Sequence, residues 1–316
     1  MQLKWKIVLF FLVAILFSHC SKDVVVLPNQ GEECVDLPST NNLLGYQYQQ
    51  PEVGYSAPCF NPSNPNEIIF VRGHYSAQYT ELVKYNFSTK NEQILLNSSQ
   101  IWGYPDWGIN GWILLNKGDN QVWKIKDNGD SLTQLTSQFG LDAVWSPNGD
   151  EFAYWVQIGS TYYTFFSDVN GNVFDTLLYP NIIYRNAWSP DGNKIATNFT
   201  YNLSYINLIS KQTIQAYNSP NTAPINSMDW FPDSKTIVWC SYDGVFKTNI
   251  NTYSTIQIKT GCTSRSYIWP SVAANGSKII VQRYDSKLIA ENTVWIESNL
   301  YMMDANGNNE TKLTFP

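Results

Sequence analysis

One motif recurs along this chain at a nearly constant spacing. An anchor residue, most often Trp, is followed by turn-forming residues and then by a run of apolar residues; the turn is Pro-Asn-Gly or Pro-Asp-Gly in the two clearest copies, and it is degenerate in the others. The six anchors are Phe60, Trp107, Trp145, Trp188, Trp230 and Val272, and the intervals between them are 47, 38, 43, 42 and 42 residues. A period of this length predicts a repeat architecture, and about 42 residues fits the four strands of one propeller blade.

Each part of the unit has a physical role. Pro fixes φ and Gly accepts a positive φ, so the residues after the anchor favour a tight turn. The apolar run that follows, such as 236–239, is typical of a buried strand. Asn-Gly pairs further along, as in Asp127-Asn128-Gly129, favour hairpins. The sequence therefore predicts an all-β, six-bladed β-propeller of four-stranded blades.

The clearest copies also carry a family resemblance. Trp188-Ser189-Pro190-Asp191-Gly192 with its apolar strand, and residues 299–309 followed by Lys312-Leu313-Thr314, resemble the TolB-type, WD-like propeller repeat. The resemblance covers about residues 55–316 and implies a six-bladed propeller that binds a protein partner in the cell envelope. TolB has an additional N-terminal α/β domain, for which residues 21–54 are too short. The resemblance therefore implies a partner without identifying it.

The N-terminus predicts export. Lys4 and Lys6 precede an apolar run, Ile7 to Phe17, which is too short for a membrane-spanning helix and typical of a signal peptide. The segment 17–21, Phe-Ser-His-Cys-Ser, resembles the lipobox of bacterial lipoproteins. We therefore predict a signal peptide at 1–19 and a lipidated tether at 20–54 beginning with acylated Cys20, within which 43–49 has the pattern of a strand. Ser rather than Asp after Cys20 implies, by the sorting rule, the outer membrane. An ordinary signal peptide with an incidental Cys is the alternative.

Four cysteines remain beyond the signal. An even number in an exported protein permits two disulfides, for which three pairings exist. Proximity in sequence favours Cys34–Cys59 and Cys240–Cys262, and four buried thiols are the alternative. No two have the CxxC spacing of a zinc site, and His74 is the one histidine beyond the signal. We predict no metal site and no cofactor.

Composition and motifs limit the function classes. The net charge of −6 argues against a nucleic-acid surface, which needs a basic face. The sequence has no GxSxG, HExxH, P-loop or GxGxxG motif, and we expect His74 in a surface loop. We therefore predict no catalytic residue. A carbohydrate-active hydrolase or lyase built on Asp106, Asp142 or Asp229 is the alternative.

Two polar segments resemble fragments of a calcium loop. They are Asp168-Val169-Asn170-Gly171-Asn172 and residues 304–309, Asp-Ala-Asn-Gly-Asn-Asn. Both fall where the repeat requires the hairpin between its third and fourth strands. Neither has the bidentate Glu and flanking helices of an EF-hand, so we predict Asn-Gly turns.

A ligand is expected at the mouth of the channel, on loops entering the innermost strands. The positions three residues before each anchor are Ala57, Tyr104, Asp142, Arg185, Ser227 and Trp269, and Arg265 lies in the same kind of loop. We predict a binding surface from Tyr104, Asp142, Arg185, Ser227, Trp269 and Arg265. An envelope protein is the leading expectation, since Arg, Tyr and Trp anchor such interfaces. The second expectation is a glycan stacked on Tyr and Trp. The alternative is that Arg185 and Asp142 pair with each other and bind no ligand.

Overall fold

A computed structural model describes residues 25–26, 37, 46–99, 101–118, 120–179, 186–199, 201–218 and 224–316. These residues form strands and turns without a helix, and the ring predicted from the repeat is confirmed as a six-bladed β-propeller. None of the described segments is a helix long and apolar enough to cross a membrane. Cys20, Cys34 and Arg185 lie outside the described residues.

Two short strands, β1 (Val25–Val26) and β2 (Gln47–Gln49), precede the ring. Blade 1 contains β3 (Val53–Phe60), β4 (Glu67–His74), β5 (Tyr79–Asn86) and β6 (Glu92–Ser98); blade 2 contains β7 (Ile101–Trp107), β8 (Trp112–Lys117), β9 (Gln121–Lys126) and β10 (Thr133–Gln134). Blade 3 contains β11 (Leu141–Trp145), β12 (Glu151–Ile158), β13 (Thr161–Asp168) and β14 (Val173–Tyr179); blade 4 contains β15 (Asn186–Trp188), β16 (Lys194–Phe199), β17 (Asn202–Asn207) and β18 (Gln212–Asn218). Blade 5 contains β19 (Ile225–Trp230), β20 (Thr236–Ser241), β21 (Gly244–Asn249) and β22 (Ser254–Thr260); blade 6 contains β23 (Arg265–Val272), β24 (Lys278–Ala290), β25 (Thr293–Asp304) and β26 (Thr311–Lys312).

Each anchor is the last residue of the innermost strand of its blade. The tight turn that follows is closed by a backbone hydrogen bond, as from Gly192 N–H to the Ser189 carbonyl at 2.9 Å. Gly192 has φ +75°, which is the conformation that the Pro-Asp-Gly sequence supplies without strain. These turns define the turn face of the propeller, and the opposite face is the mouth face.

Hydrophobic cores lie between neighbouring blades. Trp107 of blade 2 packs with Ile69 and Leu82 of blade 1, and Trp230 of blade 5 packs with Leu203 and Tyr205 of blade 4. Five anchors are buried and Trp188 is half-buried. The prediction that the anchors fill the space between blades is confirmed, and burial of one Trp contributes roughly 2–3 kcal/mol.

A repeated hydrogen bond also joins adjacent blades. The residue before an anchor accepts the backbone N–H of the next anchor: Asp106 Oδ2 from Trp145 at 2.7 Å and Asp229 Oδ2 from Val272 at 2.8 Å. Ser271 Oγ does the same for Phe60 at 3.1 Å, which links blade 6 to blade 1. These side chains satisfy amides that would otherwise be buried without an acceptor.

Both chain ends contribute to closing the ring. In blade 6 the outer side of β25 pairs with antiparallel β26 from the C-terminus and with parallel β2 from the N-terminal segment. Beyond β26, the ring of Phe315 packs against Phe70 of blade 1 with the centroids 4.3 Å apart. The predicted strand within 43–49 is confirmed for Gln47–Gln49.

The N-terminal segment also follows the outer rim of blade 5. β1 pairs in parallel with β22, with Val25 opposite Ile256 and Val26 opposite Gln257. Leu37 N–H donates to Thr263 Oγ1 at 2.7 Å, in the connection from blade 5 to blade 6. Blade 1 begins at Val53, so the described parts of the predicted tether lie against blades 5 and 6.

The favoured cysteine pairs are wrong. Cys59 and Cys240 carry thiols, whereas Cys262 is in a disulfide whose partner lies outside the described residues. Cys59 packs in the core between blades 1 and 2, and Cys240 is buried in the core between blades 5 and 6. Proximity in sequence failed because each strand directs its cysteine into a different inter-blade core.

Asp229→Ala is expected to lower the free energy of unfolding by about 1–3 kcal/mol, because the buried Val272 amide loses its acceptor. Asp229→Asn keeps one oxygen acceptor and should lose less. Urea denaturation followed by tryptophan fluorescence measures both. Equal stability of Asp229→Ala and the wild type would contradict the structural role of this hydrogen bond.

Peptide mapping without reductant should recover Cys262 in a disulfide. Cys59 and Cys240 should react with an alkylating reagent, and Cys240 should do so at least about tenfold faster after denaturation, because burial shields its thiol. A peptide linking Cys240 to Cys262 would contradict this assignment.

Candidate binding site at the channel mouth

The innermost strands change register at the predicted mouth positions. Pairing shifts between Ser56 and Cys59, between Leu141 and Val144, and between Ile268 and Ser271. The residues inside these shifts, Ala57, Asp142 and Trp269, have φ of 50°, 50° and 56°. A β-bulge of this kind turns a side chain away from the regular alternation of the strand. The repeat therefore places the same bulge at the mouth of several blades.

Trp269 is the bulkiest of these residues. A positive φ costs a non-glycine residue about 1–2 kcal/mol, and a bulky side chain rarely adopts it. Ser227 Oγ of blade 5 accepts the Trp269 N–H at 2.7 Å and holds this conformation. Backbone strain of this kind concentrates at ligand-binding and switching sites.

Tyr104 and Trp269 meet although they belong to blades 2 and 6. Their rings form an edge-to-face pair with centroids 4.5 Å apart and an interplanar angle of 83°. Both rings pack against the core that contains Ala57 of the intervening blade 1. Two of the predicted mouth residues are therefore brought together, and they form one wall of a cavity.

The cavity is open to solvent and has a volume of about 340 Å³. Its lining residues are Tyr104, Asn226, Tyr242, Ser266, Ile268, Trp269 and Tyr284. Four of these seven described residues are aromatic, and none of the seven carries a formal charge at neutral pH. The sequence analysis did not predict the other five lining residues. Of these five, only Tyr242 is marked by a sequence pattern, because it begins the hairpin turn Tyr242-Asp243-Gly244.

Asp142 and Ser227 are buried and support the scaffold. Asp142 Oδ2 accepts the Trp155 indole N–H at 3.0 Å, and its backbone N–H donates to Asn116 Oδ1 at 3.2 Å. Neither Asp142 nor Ser227 lines the cavity. Among the described members of the predicted binding surface, Tyr104 and Trp269 line the cavity, and Ser227 holds the backbone of Trp269.

Arg265 belongs to a charged cluster between blades 5 and 6. Its Nε lies 3.4 Å from Asp285, which also pairs with Arg283 at 2.8 Å. Arg283 and Lys259 both contact Glu310, at 3.3 and 3.1 Å. Burial opposes the charged form of Arg283, yet the Asp285 and Glu310 carboxylates outweigh it and raise its pKa. The cluster binds the C-terminal hairpin to blade 5, so Arg265 contributes to packing between blades 5 and 6.

His74 is the final residue of β4, and its expected place in a loop is wrong. Its ring stacks on Tyr79 with centroids 4.3 Å apart, and Nε2 lies 3.1 Å from Glu81 Oε2. Arg72 Nε pairs with the same carboxylate at 2.7 Å. Burial raises the pKa of Glu81, but hydrogen bonds from Arg72 and His74 prevail and hold that pKa below its usual value.

The two calcium-like segments are hairpin turns, as predicted. Asp168 Oδ1 accepts the backbone N–H of Asn170 at 2.9 Å and of Asn172 at 3.0 Å. Asp304 Oδ1 accepts those of Asn306 and Asn308 in the same way. Within the described ranges, no group of three or more His, Cys, Asp or Glu side chains is arranged to hold a metal ion.

A long hairpin of blade 6 extends the mouth face. β24 has 13 residues, whereas the second strands of the other blades have 6–8. Five additional residues correspond to about 16 Å of strand. Leu288 and Ile289 near the tip are 44% and 46% exposed. This hairpin arm, residues 286–295, begins two residues beyond Tyr284 of the cavity.

Comparison with solved structures places this architecture among known propellers. A putative TolB from Agrobacterium tumefaciens is similar at a TM-score of 0.61 and 16% identity, over 73% of this chain and 86% of that one. TolB from Acinetobacter baumannii is similar at 0.52 and 15%, over 75% and 65%. An oligogalacturonate lyase from Vibrio parahaemolyticus is similar at 0.51 and 12%, over 64% and 68%.

The resemblance to the TolB-type propeller is confirmed at the level of fold. No protein-family model matches the chain, and no curated protein does. Identities of 12–16% show a common architecture and not a common activity. The chain therefore has a TolB-type six-bladed propeller, and the described lining of the cavity at its mouth is aromatic and uncharged.

The Glu81 cluster predicts a defined acid response. Since folding lowers the pKa of Glu81, its contribution is complete above the unfolded value of about 4.3 and is lost as pH falls through the folded value. Glu81→Gln should be less stable at pH 7 by about 2 kcal/mol and should show a flatter decline in acid. Urea unfolding at several pH values measures this, and parallel curves for the two proteins would contradict it.

Proposed function

We propose that this protein is a lipoprotein of the outer membrane, exported and acylated at Cys20, whose propeller binds an envelope protein at the channel mouth without catalysing a reaction. The single observation that carries the binding role is Trp269, held at φ 56° against Tyr104 in an open cavity. The backbone strain at Trp269 belongs to a bulge that also occurs at Ala57 and Asp142, and of these three residues Trp269 is the one that lines the cavity. This strain is accounted for if Trp269 is preorganised for a ligand.

The chemistry of the cavity suits a protein side chain or loop. Tyr and Trp dominate the energetics of protein interfaces, because rigid rings bury a large area at a low cost in conformational entropy. Tyr242 is 58% exposed and stands at the rim, while Tyr104 and Trp269 are half-buried. Asn226 and Ser266 supply polar groups beside the rings.

The hairpin arm offers a second contact. Leu288 and Ile289 are exposed apolar residues on a projecting β-structure that is stiffened along one side by β2. A partner seated in the cavity and leaning on this arm buries apolar area at both places. The arm thus enlarges a small cavity towards the area of a specific interface.

The carboxylates favoured by the hydrolase or lyase alternative support a non-catalytic role. Asp106 and Asp229 accept anchor amides of the next blade, and Asp142 accepts the Trp155 indole. None of the three lines the cavity. Turnover of a polysaccharide that disappears in Asp142→Asn or Asp229→Asn would overturn the non-catalytic assignment.

The decisive test is cross-linking in cells with the tagged, acylated protein, read by mass spectrometry. One envelope protein should be captured by the wild type and reduced at least about tenfold with Tyr104→Ala/Trp269→Ala, since two central aromatic residues contribute about 2 kcal/mol or more each. Phe174→Ala is the matched control, because Phe174 is an exposed aromatic residue on blade 3. Equal capture by all three proteins would contradict the proposal that the partner binds at the channel mouth.

Variants that leave the core intact separate binding from folding. Tyr242→Ala removes a ring at the rim, and Ser227→Ala removes the acceptor that holds Trp269. Both should weaken capture several-fold while the circular dichroism spectrum stays that of the wild type. Rescue by Ser227→Thr, which keeps the hydroxyl, distinguishes positioning of Trp269 from a general loss of packing.

Glycan binding is the second candidate, favoured by the aromatic and uncharged polar residues that the structure describes in the cavity lining. Aromatic rings stack on sugars, and Asn226 and Ser266 can hydrogen-bond to hydroxyl groups. Affinity electrophoresis through neutral polysaccharides tests it. Retardation of the wild type that is lost in Tyr242→Ala favours a sugar over a protein.

The anchor is tested independently of the mouth. Intact mass spectrometry of the membrane fraction should show a lipid-modified Cys20 at the N-terminus, and Cys20→Ala should leave the protein unlipidated. Membrane fractionation tests whether the protein is located in the outer membrane. An unmodified mature N-terminus in the wild type would overturn the lipoprotein assignment and leave the mouth assignment standing.

A further inference from the structure

The pairing of β1 with blade 5 changes what the N-terminal segment can do as a tether. A free chain from Cys20 to Gly54 has 34 residue steps and extends to at most about 115 Å. In the structure, the strand pairing already begins at Val25, which lies opposite Ile256 of β22. Five residue steps separate Cys20 from Val25, and these extend to at most about 17 Å.

Further contacts hold the same segment beyond β1. Leu37 is bound to Thr263 in both directions, with its N–H donating to Oγ1 and Oγ1 donating to its carbonyl. Gln47 N–H donates to the Asn292 carbonyl at 2.8 Å, and Gln47–Gln49 pair with β25. We call the described contacts of residues 25–26, 37 and 47–49 the N-terminal strap.

The disulfide of Cys262 strengthens the strap. Cys59 and Cys240 carry thiols, so the sequence leaves Cys20 and Cys34 as partners for Cys262. With Cys20 assigned to the lipid, Cys34 remains, three residues before Leu37, which contacts Thr263 next to Cys262. A covalent bond at this point would keep the segment on blade 5 even if the pairing of β1 opened.

We infer that the strap holds the propeller directly on the membrane, with the outer rim of blade 5 nearest to the lipid and blade 2 farthest from it. The inference rests on the proposed acylation of Cys20. In a six-bladed ring blade 2 lies opposite blade 5, and a domain of this size is roughly 45 Å across. The partner at the mouth must therefore be reached close to the membrane that anchors the lipid, and not across a long flexible tether.

The test uses energy transfer from the acylated protein in vesicles that contain an acceptor-labelled lipid. Donors are attached at Asn251→Cys or Leu132→Cys, which lie before the outer strands of blades 5 and 2 and are exposed in the structure. Transfer from Asn251→Cys should exceed that from Leu132→Cys by about twofold or more, given the separation of the two blades. The parent protein, labelled in parallel without reductant, measures the background from Cys59 and Cys240.

Release of the strap provides the matched control. Val25→Pro/Val26→Pro removes both backbone donors of β1, and adding Cys34→Ser removes the proposed disulfide partner. Adding Thr263→Ala removes the hydroxyl group that holds Leu37. A flexible chain from Cys20 to Tyr46 then spans about 28 Å on average and permits many orientations. The ratio of transfer between the two sites should fall to near one, while the melting temperature of the propeller changes by only a few degrees.

The outcomes separate the strap from the anchor. A ratio of about two or more that collapses on strap release supports the inference. Acylated protein with equal transfer from both sites overturns it and leaves the proposed function intact. Protein that is not acylated at Cys20 overturns the anchor and the inference together, and intact mass spectrometry identifies that case.

Discussion

The structure depends on contact between neighbouring blades. A four-stranded blade cannot bury its own faces, so it is stable only when both neighbours are present. The anchor at the end of each innermost strand supplies much of this contact, as Trp230 does when it packs on blade 4. Its indole N–H also donates to the Ala187 carbonyl at 2.9 Å. The ring must therefore close, because otherwise blades 1 and 6 would each expose one apolar face.

Blade 6 is joined to its two neighbours by different groups. Blades 5 and 6 are joined by the Arg283 and Glu310 cluster, and blade 6 meets blade 1 through Ser271, Phe315 and the N-terminal β2. Charged groups can be buried there because they are paired and hydrogen-bonded. Blade 6, which closes the ring against blade 1, also supplies residues that line the mouth cavity.

The mouth is built from strain that the ring supports. Rigid strands on both sides of each bulge hold Ala57, Asp142 and Trp269 at positive φ. A flexible loop would relax to an ordinary conformation and lose the fixed orientation of the Trp269 ring. The cost in backbone strain is offset by inter-blade packing, which is the arrangement expected where binding needs a preorganised group.

The sequence by itself determined the number of blades, the anchor of each innermost strand and the turn chemistry, because these depend on local patterns that repeat every ~42 residues. It also located Tyr104 and Trp269 at the mouth, since the repeat gives equivalent positions equivalent places. Only the tertiary structure decided that Asp142 and Ser227 are buried supports, that Arg265 is in a charged cluster between blades 5 and 6, and that Tyr242 and Tyr284 complete the cavity. The surroundings of Cys59 and Cys240 and the position of the N-terminal segment likewise depend on contacts between residues far apart in sequence, and local sequence patterns do not predict such contacts.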